Sequence, residues 1–228
     1  MKTLILSSPS STLWTSRDER EDQHWHEKTR LILLPWREHK IPHVTPHSKK
    51  VWLVGLMACG KSSIAGKIAD VLDATTVDMD ALIVRQQKMS IADIFARIQE
   101  TWFRELEKQL VGELAENQDD LVIATGWGAP CFHNNMEIMN RSGITVFLDA
   151  SPEIVAQRTI DDELAWKPTR PIVAGKDLAQ RIDVFQKQRE NRGPFYKDAK
   201  ITIKVDNMSL GDIVGAILEH NSMKWFHA

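Results

Sequence analysis

VWLVGLMACGKSS, residues 51–63, is the stretch of this chain that decides its fold. Its first four residues are apolar and predict a buried strand, and the residues after Lys61 predict a helix. Between the two, Gly55 to Ser62 matches G-x-x-x-x-G-K-[ST], a loop whose backbone N–H groups surround the phosphates of a nucleotide. In that chemistry Lys61 neutralises phosphate charge and the Ser62 hydroxyl binds Mg²⁺. We therefore predict a nucleoside-triphosphate site.

From residue 49 onward, predicted strands alternate with predicted helices. This alternation indicates an α/β fold, with a mostly parallel five-stranded sheet covered by helices on both faces. Residues 90–117 read as one long amphipathic helix. The Pro-broken stretch KPTRPIV lies between two predicted helices and suits a mobile lid. Ligands of such sheets bind beyond the carboxyl ends of the strands, so we expect the functional residues there.

Residues 1–48 differ from the rest of the chain. They hold five of the eight histidines, mixed charges and little sustained periodicity. The acidic cluster DERED, residues 18–22, argues against a signal or transit peptide. We predict a poorly ordered extension over 1–48 and one nucleotide-binding α/β domain over 49–228.

The composition excludes several classes of protein. The formal net charge is −2, and the basic residues gather into no face, so a nucleic-acid partner is not expected. No apolar run approaches the ~20 residues of a membrane span. The two cysteines cannot form a disulfide framework, which favours a reducing compartment such as the cytoplasm.

Two carboxylates and three arginines are candidates for the acceptor side of the site. Asp78 and Asp80 follow the second predicted strand, where they suit Mg²⁺ binding and proton abstraction, although Asp80 also suits a helix N-cap. Arg104, Arg170 and Arg192 each have a structural interpretation. Together with the phosphate loop they indicate a substrate with its own anionic group, because arginine binds carboxylates bidentately.

With these residues in place, the chain resembles the shikimate kinases, small P-loop kinases with the nucleoside-monophosphate-kinase architecture. The resemblance covers about residues 51–220. Six motifs carry it in order: GLMACGKSS, Asp78-Met-Asp80, Phe103-Arg104-x-x-Glu107, Gly126-Trp127-Gly128, Arg170-Pro171-Ile172 and Arg192-x-Pro194-x-Tyr196.

The resemblance implies ATP-dependent phosphorylation of the 3-hydroxyl of shikimate, a step of aromatic amino-acid biosynthesis, by a monomer. ATP is the co-substrate and Mg²⁺ the cofactor. The implied catalytic residues are Lys61, Asp80 and Arg170. The implied ATP-binding residues are Ala58, Cys59, Gly60, Lys61, Ser62, Ser63 and Arg170. The implied shikimate-binding residues are Asp80, Arg104, Gly126, Trp127, Gly128 and Arg192. Ser62 and Asp78 are the implied magnesium residues.

Two positions depart from the family pattern, which has glycine at both. Ala58 is strained if its φ is positive. An indole at Trp127 fills the acceptor pocket if it points inward, and a positive φ there would distort the turn. Two other functions therefore stay open: a kinase of another small hydroxy acid such as gluconate, and an impaired or non-catalytic relative that binds nucleotide or a partner.

Overall fold

The structure is a computed structural model that describes residues 48–165 and 171–226. Residues 1–47 of the predicted extension lie outside the described residues. So does Arg170, the predicted lid arginine. The predicted kinase domain is otherwise described nearly throughout.

The described strands form one five-stranded sheet in the order β2-β3-β1-β4-β5. The strands are β1 (Lys50–Val54), β2 (Thr75–Asp78), β3 (Leu121–Ala124), β4 (Ile144–Asp149) and β5 (Ile201–Lys204). The prediction of a mostly parallel sheet is confirmed, and every pairing between these strands is parallel. All residues of β1 and β3 are buried. Because successive side chains point to opposite faces, both faces of the sheet are covered.

Eight α-helices lie among the described residues. They are α1 (Lys61–Leu72), α2 (Met79–Gln87), α3 (Ile91–Arg97), α4 (Glu100–Glu116), α5 (Asn135–Ser142), α6 (Pro152–Leu164), α7 (Leu178–Tyr196) and α8 (Leu210–Leu218). The prediction of one helix over 90–117 is wrong, because Gln99 adopts φ 141° and separates α3 from α4. The apolar spacing continues across this break, so periodicity alone does not reveal it.

The helices pack in pairs around the central strands. α1 packs on β3 and against α8, while α5 packs on β4 and against α4. α6 and α7 form a third pair. Serine and aspartate side chains cap several of these helices: Ser151 is the N-cap of α6, Asp177 of α7 and Ser209 of α8.

The strand order determines where the candidate site lies. β1 stands between β3 and β4, and β2 stands on the far side of β3. The segments that follow β1, β2 and β3 therefore emerge at one edge of the sheet. These segments are the phosphate loop, the Asp78–Asp80 turn and residues 125–128. Across the described residues, we find no helix that is long and apolar enough to span a bilayer.

We expect two glycine-to-alanine substitutions to have opposite effects on stability. A Cβ at Gly143 would overlap the carbonyl oxygen of Lys50, so Gly143→Ala should destabilise the protein by about 1–3 kcal/mol. Gly112 lies inside α4 with no atom within 4 Å of an added Cβ, so Gly112→Ala should stabilise by about 0.5–1 kcal/mol. Urea unfolding of both variants measures this difference. A Gly143→Ala protein as stable as Gly112→Ala would contradict this packing.

Candidate active site

The loop after β1 has the backbone conformation that a phosphate site requires. Gly60 adopts φ 105° and is the N-cap of α1. The N–H groups of the loop and of the first helical turn therefore converge on one point, where a phosphate can bind. Ala58 adopts φ 56°, the left-handed region. Its methyl group therefore carries the strain predicted for a positive φ, on the order of 1 kcal/mol.

Lys61 is held inside this loop. Its ammonium donates hydrogen bonds to the carbonyl oxygens of Gly55 (2.9 Å) and Leu56 (2.7 Å), and it lies 3.8 Å from Cys59 Sγ. The side chain is mostly buried, with 9% of the residue exposed. The positive charge is therefore fixed at the loop, where the outer phosphates of a nucleotide bind.

Ser62 and Asp78 join the phosphate loop to the end of β2. The Ser62 hydroxyl donates to Asp78 Oδ2 at 2.5 Å. Asp78 Oδ1 also accepts from the Ala81 backbone N–H at 3.0 Å, so Asp78 is the N-cap of α2. The interpretation of Asp80 as that cap is wrong, because Asp80 already lies in the first helical turn.

A hydroxyl and a carboxylate side by side are the kind of oxygen donors that Mg²⁺ accepts. Within the part of the chain that the structure describes, no cluster of three or more His, Cys, Asp or Glu could hold a metal by itself. Mg²⁺ commonly uses one or two protein oxygens and completes its shell with water and substrate phosphates. Ser62 and Asp78 fit that arrangement.

Asp80 is a carboxylate with a perturbed pKa at the cavity. Burial raises the pKa of Asp80 above its usual range, and the nearby Asp78 charge adds to this effect. The positive charges of Lys61 and Arg104 oppose it. A carboxylate whose pKa is raised in this way is a stronger proton acceptor than an ordinary aspartate.

Arg104 is buried in α4, with 5% of the residue exposed. Its Nη1 donates to Glu107 Oε2 at 2.6 Å and its Nη2 to Glu100 Oε1 at 2.7 Å. The guanidinium carbon also lies 4.1 Å from the centre of the Phe132 ring. The arginine is therefore held by two carboxylates and by aromatic rings, of which Phe132 is the nearest.

Glu107 is the most buried acid of this cluster, with 1% of the residue exposed. Burial raises the pKa of Glu107 to about 7; Asp80 adds to this rise, while Arg104 opposes it and Arg192 opposes it less. Its Oε1 is buried without a hydrogen-bond partner. Glu107 therefore couples electrostatically to both arginines and to Asp80.

Gly126 and Gly128 give the main chain room beside these charged groups. A Cβ at Gly126 would lie 2.6 Å from Glu107 Oε1 and 2.8 Å from Asp80 Oδ1. A Cβ at Gly128 would overlap the guanidinium of Arg104. Any larger residue at either position would displace the charged side chains.

Trp127, between these glycines, contacts α7 through its ring and through its main chain. The guanidinium carbon of Arg192 lies 3.5 Å from the indole centre, and the Tyr196 hydroxyl donates to the Trp127 carbonyl oxygen at 2.5 Å. Trp127 is not among the described residues with positive φ, so the distorted turn considered from the sequence does not occur. The indole is half-buried.

A cavity of about 630 Å³ opens beside the phosphate loop. Ligand pockets are commonly about 300–1,000 Å³, so this volume suits a small substrate with its nucleotide. Most of the predicted site residues line it: Ala58, Cys59, Gly60, Lys61, Ser62, Ser63, Asp78, Asp80 and Trp127. The remaining lining includes Arg158 and the apolar side chains Met208, Leu210 and Ile213.

The other predicted site residues lie around the cavity rather than on its wall. Arg104, Gly126, Gly128 and Arg192 are not among the described residues that line it. Gly126 nevertheless lies beside Asp80 and Gly128 beside Arg104, so that a Cβ at either glycine would overlap the charged side chain, and Arg192 contacts Trp127. These residues therefore form a layer directly behind the acceptor wall.

Sequence reasoning assigned no role to two residues of this region. Arg158, in α6, reaches the carbonyl oxygens of Cys59 (3.1 Å) and Ala58 (3.4 Å) and lines the cavity. No local pattern around Arg158 marks it as a site residue. Glu107 lies three residues after Arg104, and this helical spacing is the signal that could have identified it as the partner of Arg104.

Comparison with known proteins agrees with this geometry. The family model described as shikimate kinase matches residues 57–221, more than half of the chain. A shikimate kinase from Parabacteroides distasonis is 37% identical over 175 residues, which are 75% of this chain and 98% of the relative. One from Bacteroides thetaiotaomicron is 36% identical over 159 residues, 70% of this chain and 88% of the relative.

Solved structures give the same result for the fold. The crystal structure of the Bacteroides thetaiotaomicron shikimate kinase superimposes with a TM-score of 0.69 at 33% identity, covering 75% of this chain and 97% of that one. Shikimate kinase from Acinetobacter baumannii in complex with shikimate gives a TM-score of 0.66 at 29% identity, covering 75% and 92%. By its sequence, its fold and its phosphate loop, the chain belongs to the shikimate kinase family.

Proposed function

We propose that this chain transfers the γ-phosphoryl group of ATP to the 3-hydroxyl of shikimate, in the biosynthesis of aromatic amino acids. The observation that supports this most is the position of Asp80. It lines the cavity with Lys61 and Ser62 of the phosphate loop, and it lies beside Gly126 together with Glu107, the partner of Arg104. The Asp80 carboxylate thus connects the ATP side of the site to the residues proposed to bind shikimate.

On the donor side, the amides of residues 58–63 and the ammonium of Lys61 bind the ATP phosphates. Ser62 and Asp78 would hold Mg²⁺, which would neutralise negative charge on the ATP phosphates. Arg158 together with the apolar Met208 and Leu210 suits the planar nucleotide base, because an arginine face and apolar side chains both pack on aromatic rings.

On the acceptor side, Arg104 and Arg192 bind the shikimate carboxylate, and the amides of residues 126–128 contact its ring substituents. Asp80 accepts a hydrogen bond from the reacting hydroxyl and takes its proton as the oxygen attacks phosphorus in line. ADP then leaves with the electron pair of the broken bond. Arg170, outside the described residues, is assigned the neutralisation of the transferring phosphoryl group.

Two further assignments belong to this proposal. We assign the protein to the cytoplasm, because Cys59 and Cys131 are free thiols, which suits a reducing compartment. We also assign it a monomeric state, since a single chain contributes both the donor and the acceptor residues of the cavity.

A coupled ADP-release assay tests the function directly. With Mg²⁺ and ATP, ADP release should saturate with shikimate and should be at background without it, and gluconate should not replace shikimate. ADP release at the same rate with and without shikimate would overturn the proposal. A protein that binds ATP in calorimetry but turns over neither acid would instead be a non-catalytic relative.

Removing the Arg104 guanidinium should weaken shikimate binding specifically. Losing a buried, charge-assisted contact to a carboxylate costs about 3 kcal/mol, so Arg104→Ala should raise the KM for shikimate about 100-fold. The KM for ATP should change by less than about threefold. Lys108→Ala, an exposed position on the same helix, is the matched control. An Arg104→Ala enzyme with the wild-type KM for shikimate would contradict the assignment.

The Asp80 carboxylate should be required for the chemical step rather than for nucleotide binding. Asp80→Asn should lower kcat by a factor on the order of 10² to 10⁴, the usual contribution of a general base. ATP binding measured by calorimetry should stay near wild type, since the phosphate loop is intact. A kcat within tenfold of wild type would remove Asp80 from the role of base.

The proton on Glu107 should tune shikimate affinity. Because the pKa of Glu107 is raised to about 7, Glu107 gains a proton as the pH falls through 7 and no longer repels the acceptor carboxylate. The KM for shikimate should therefore fall by a few fold between pH 8 and pH 6. In Glu107→Gln the KM should stay flat across this range. A wild-type KM that is equal at both pH values, or higher at pH 6, would contradict this expectation.

A further inference from the structure

Trp127 separates Arg192 from the cavity. Trp127 is part of the cavity lining, and the centre of its indole lies 3.5 Å from the guanidinium carbon of Arg192. Arg192 itself is not among the described residues that line the cavity. An anion placed in the cavity in this conformation would therefore meet the indole before it met the Arg192 guanidinium.

Arg192 nevertheless keeps a donor available for an anion. Its Nη1 is buried and has no hydrogen-bond partner. A charged donor buried without a partner is unfavourable, and the contact with an aromatic face compensates only in part. A ligand carboxylate would satisfy this donor, because guanidinium and carboxylate form short, charge-assisted hydrogen bonds.

The indole can move without disturbing the main chain that carries it. The Trp127 carbonyl oxygen is held by the Tyr196 hydroxyl, and the backbone has no positive φ. Tyr196 is fully buried, so the group that holds the Trp127 main chain lies in the protein interior. Trp127 is half-buried, so part of the residue is exposed to solvent. Rotation about the side-chain bonds is therefore sufficient to uncover Arg192.

We propose that Trp127 is a positioning residue that covers Arg192, and that the acceptor carboxylate must displace the indole before Arg192 can bind it. This inference rests on the proposed function, because it takes shikimate as the acceptor. Binding then exchanges one contact for a stronger one: the arginine–indole stack for an arginine–carboxylate pair.

The indole on Arg192 lowers the apparent affinity of the protein for the acceptor. If the uncovered state is only a fraction of the population, the apparent dissociation constant of the acceptor rises by the inverse of that fraction. Removing the indole should therefore lower the KM for shikimate about tenfold, equivalent to about 1.4 kcal/mol. Ligands that do not use Arg192, such as ATP, should be unaffected.

The test compares wild type, Trp127→Gly and Trp127→Phe in the shikimate-dependent ADP-release assay. Trp127→Gly should lower the KM for shikimate about tenfold, with kcat and the KM for ATP within about twofold. Trp127→Phe, which keeps a smaller aromatic face, should be intermediate. Trp102→Leu, a half-buried tryptophan of α4 outside the cavity lining, is the matched control, and thermal unfolding verifies that all variants are folded.

A second comparison establishes that the effect operates through Arg192. In the Arg192→Gln background, Trp127→Gly should change the KM for shikimate by less than about twofold. An equal gain in both backgrounds would mean that the indole merely occupies space, and would overturn the proposed role.

The outcomes separate this inference from the proposed function. If wild type turns over shikimate and Trp127→Gly has an equal or higher KM, the cover is overturned and the function stands. If only Trp127→Gly turns over shikimate, the natural chain is not a working shikimate kinase, and the cover stands only if this gain is lost in the Arg192→Gln background. If neither protein does, the function fails and the cover fails with it.

Discussion

The hydrogen bond between Ser62 and Asp78 connects the two parts of the chain from which the site is built. Ser62 lies in the first turn of the helix after β1, and Asp78 ends β2, two positions across the sheet. β3 lies between β1 and β2 in the sheet. Because all three strands end at the same edge, the residues that follow β1 can meet the end of β2 there. Asp78 also caps α2, which places Asp80 in the first turn of that helix and at the cavity. The donor site and the proposed base are thus fixed by one interaction.

Behind this edge, the acceptor side depends on a compact group of buried charges. Arg104 is held by Glu107 and Glu100, and Glu107 is itself close to Asp80. Two glycines, Gly126 and Gly128, leave the space that these side chains occupy. Burial raises the pKa of Asp80 above its usual range and the pKa of Glu107 to about 7, so Glu107 makes the group respond to pH near neutrality. Buried carboxylates of this kind are characteristic of sites that bind and activate small polar substrates.

Much of this arrangement could be predicted from the sequence, because it follows from local patterns. The phosphate loop has a fixed spacing, and the alternation of strands and helices determines a parallel sheet with its ligands at the carboxyl ends. The break at Gln99 could not be predicted, since the apolar period continues through it. The role of Arg158 could not be predicted either, because its contacts with the phosphate loop join residues 99 and 100 positions apart. The direction of the Trp127 side chain depends on its stacking with Arg192 of α7, which no local pattern encodes.

In the proposed complex, shikimate binds between Asp80 and the two arginines, with its carboxylate in place of the indole on Arg192. The most direct test is a crystal structure of the protein with ADP, Mg²⁺ and shikimate. We predict the shikimate carboxylate within hydrogen-bond distance of Arg104 and Arg192, a ring hydroxyl on Asp80, and the Trp127 indole rotated away from the guanidinium. Shikimate bound with the indole still stacked on Arg192, or with its carboxylate remote from both arginines, would contradict the account.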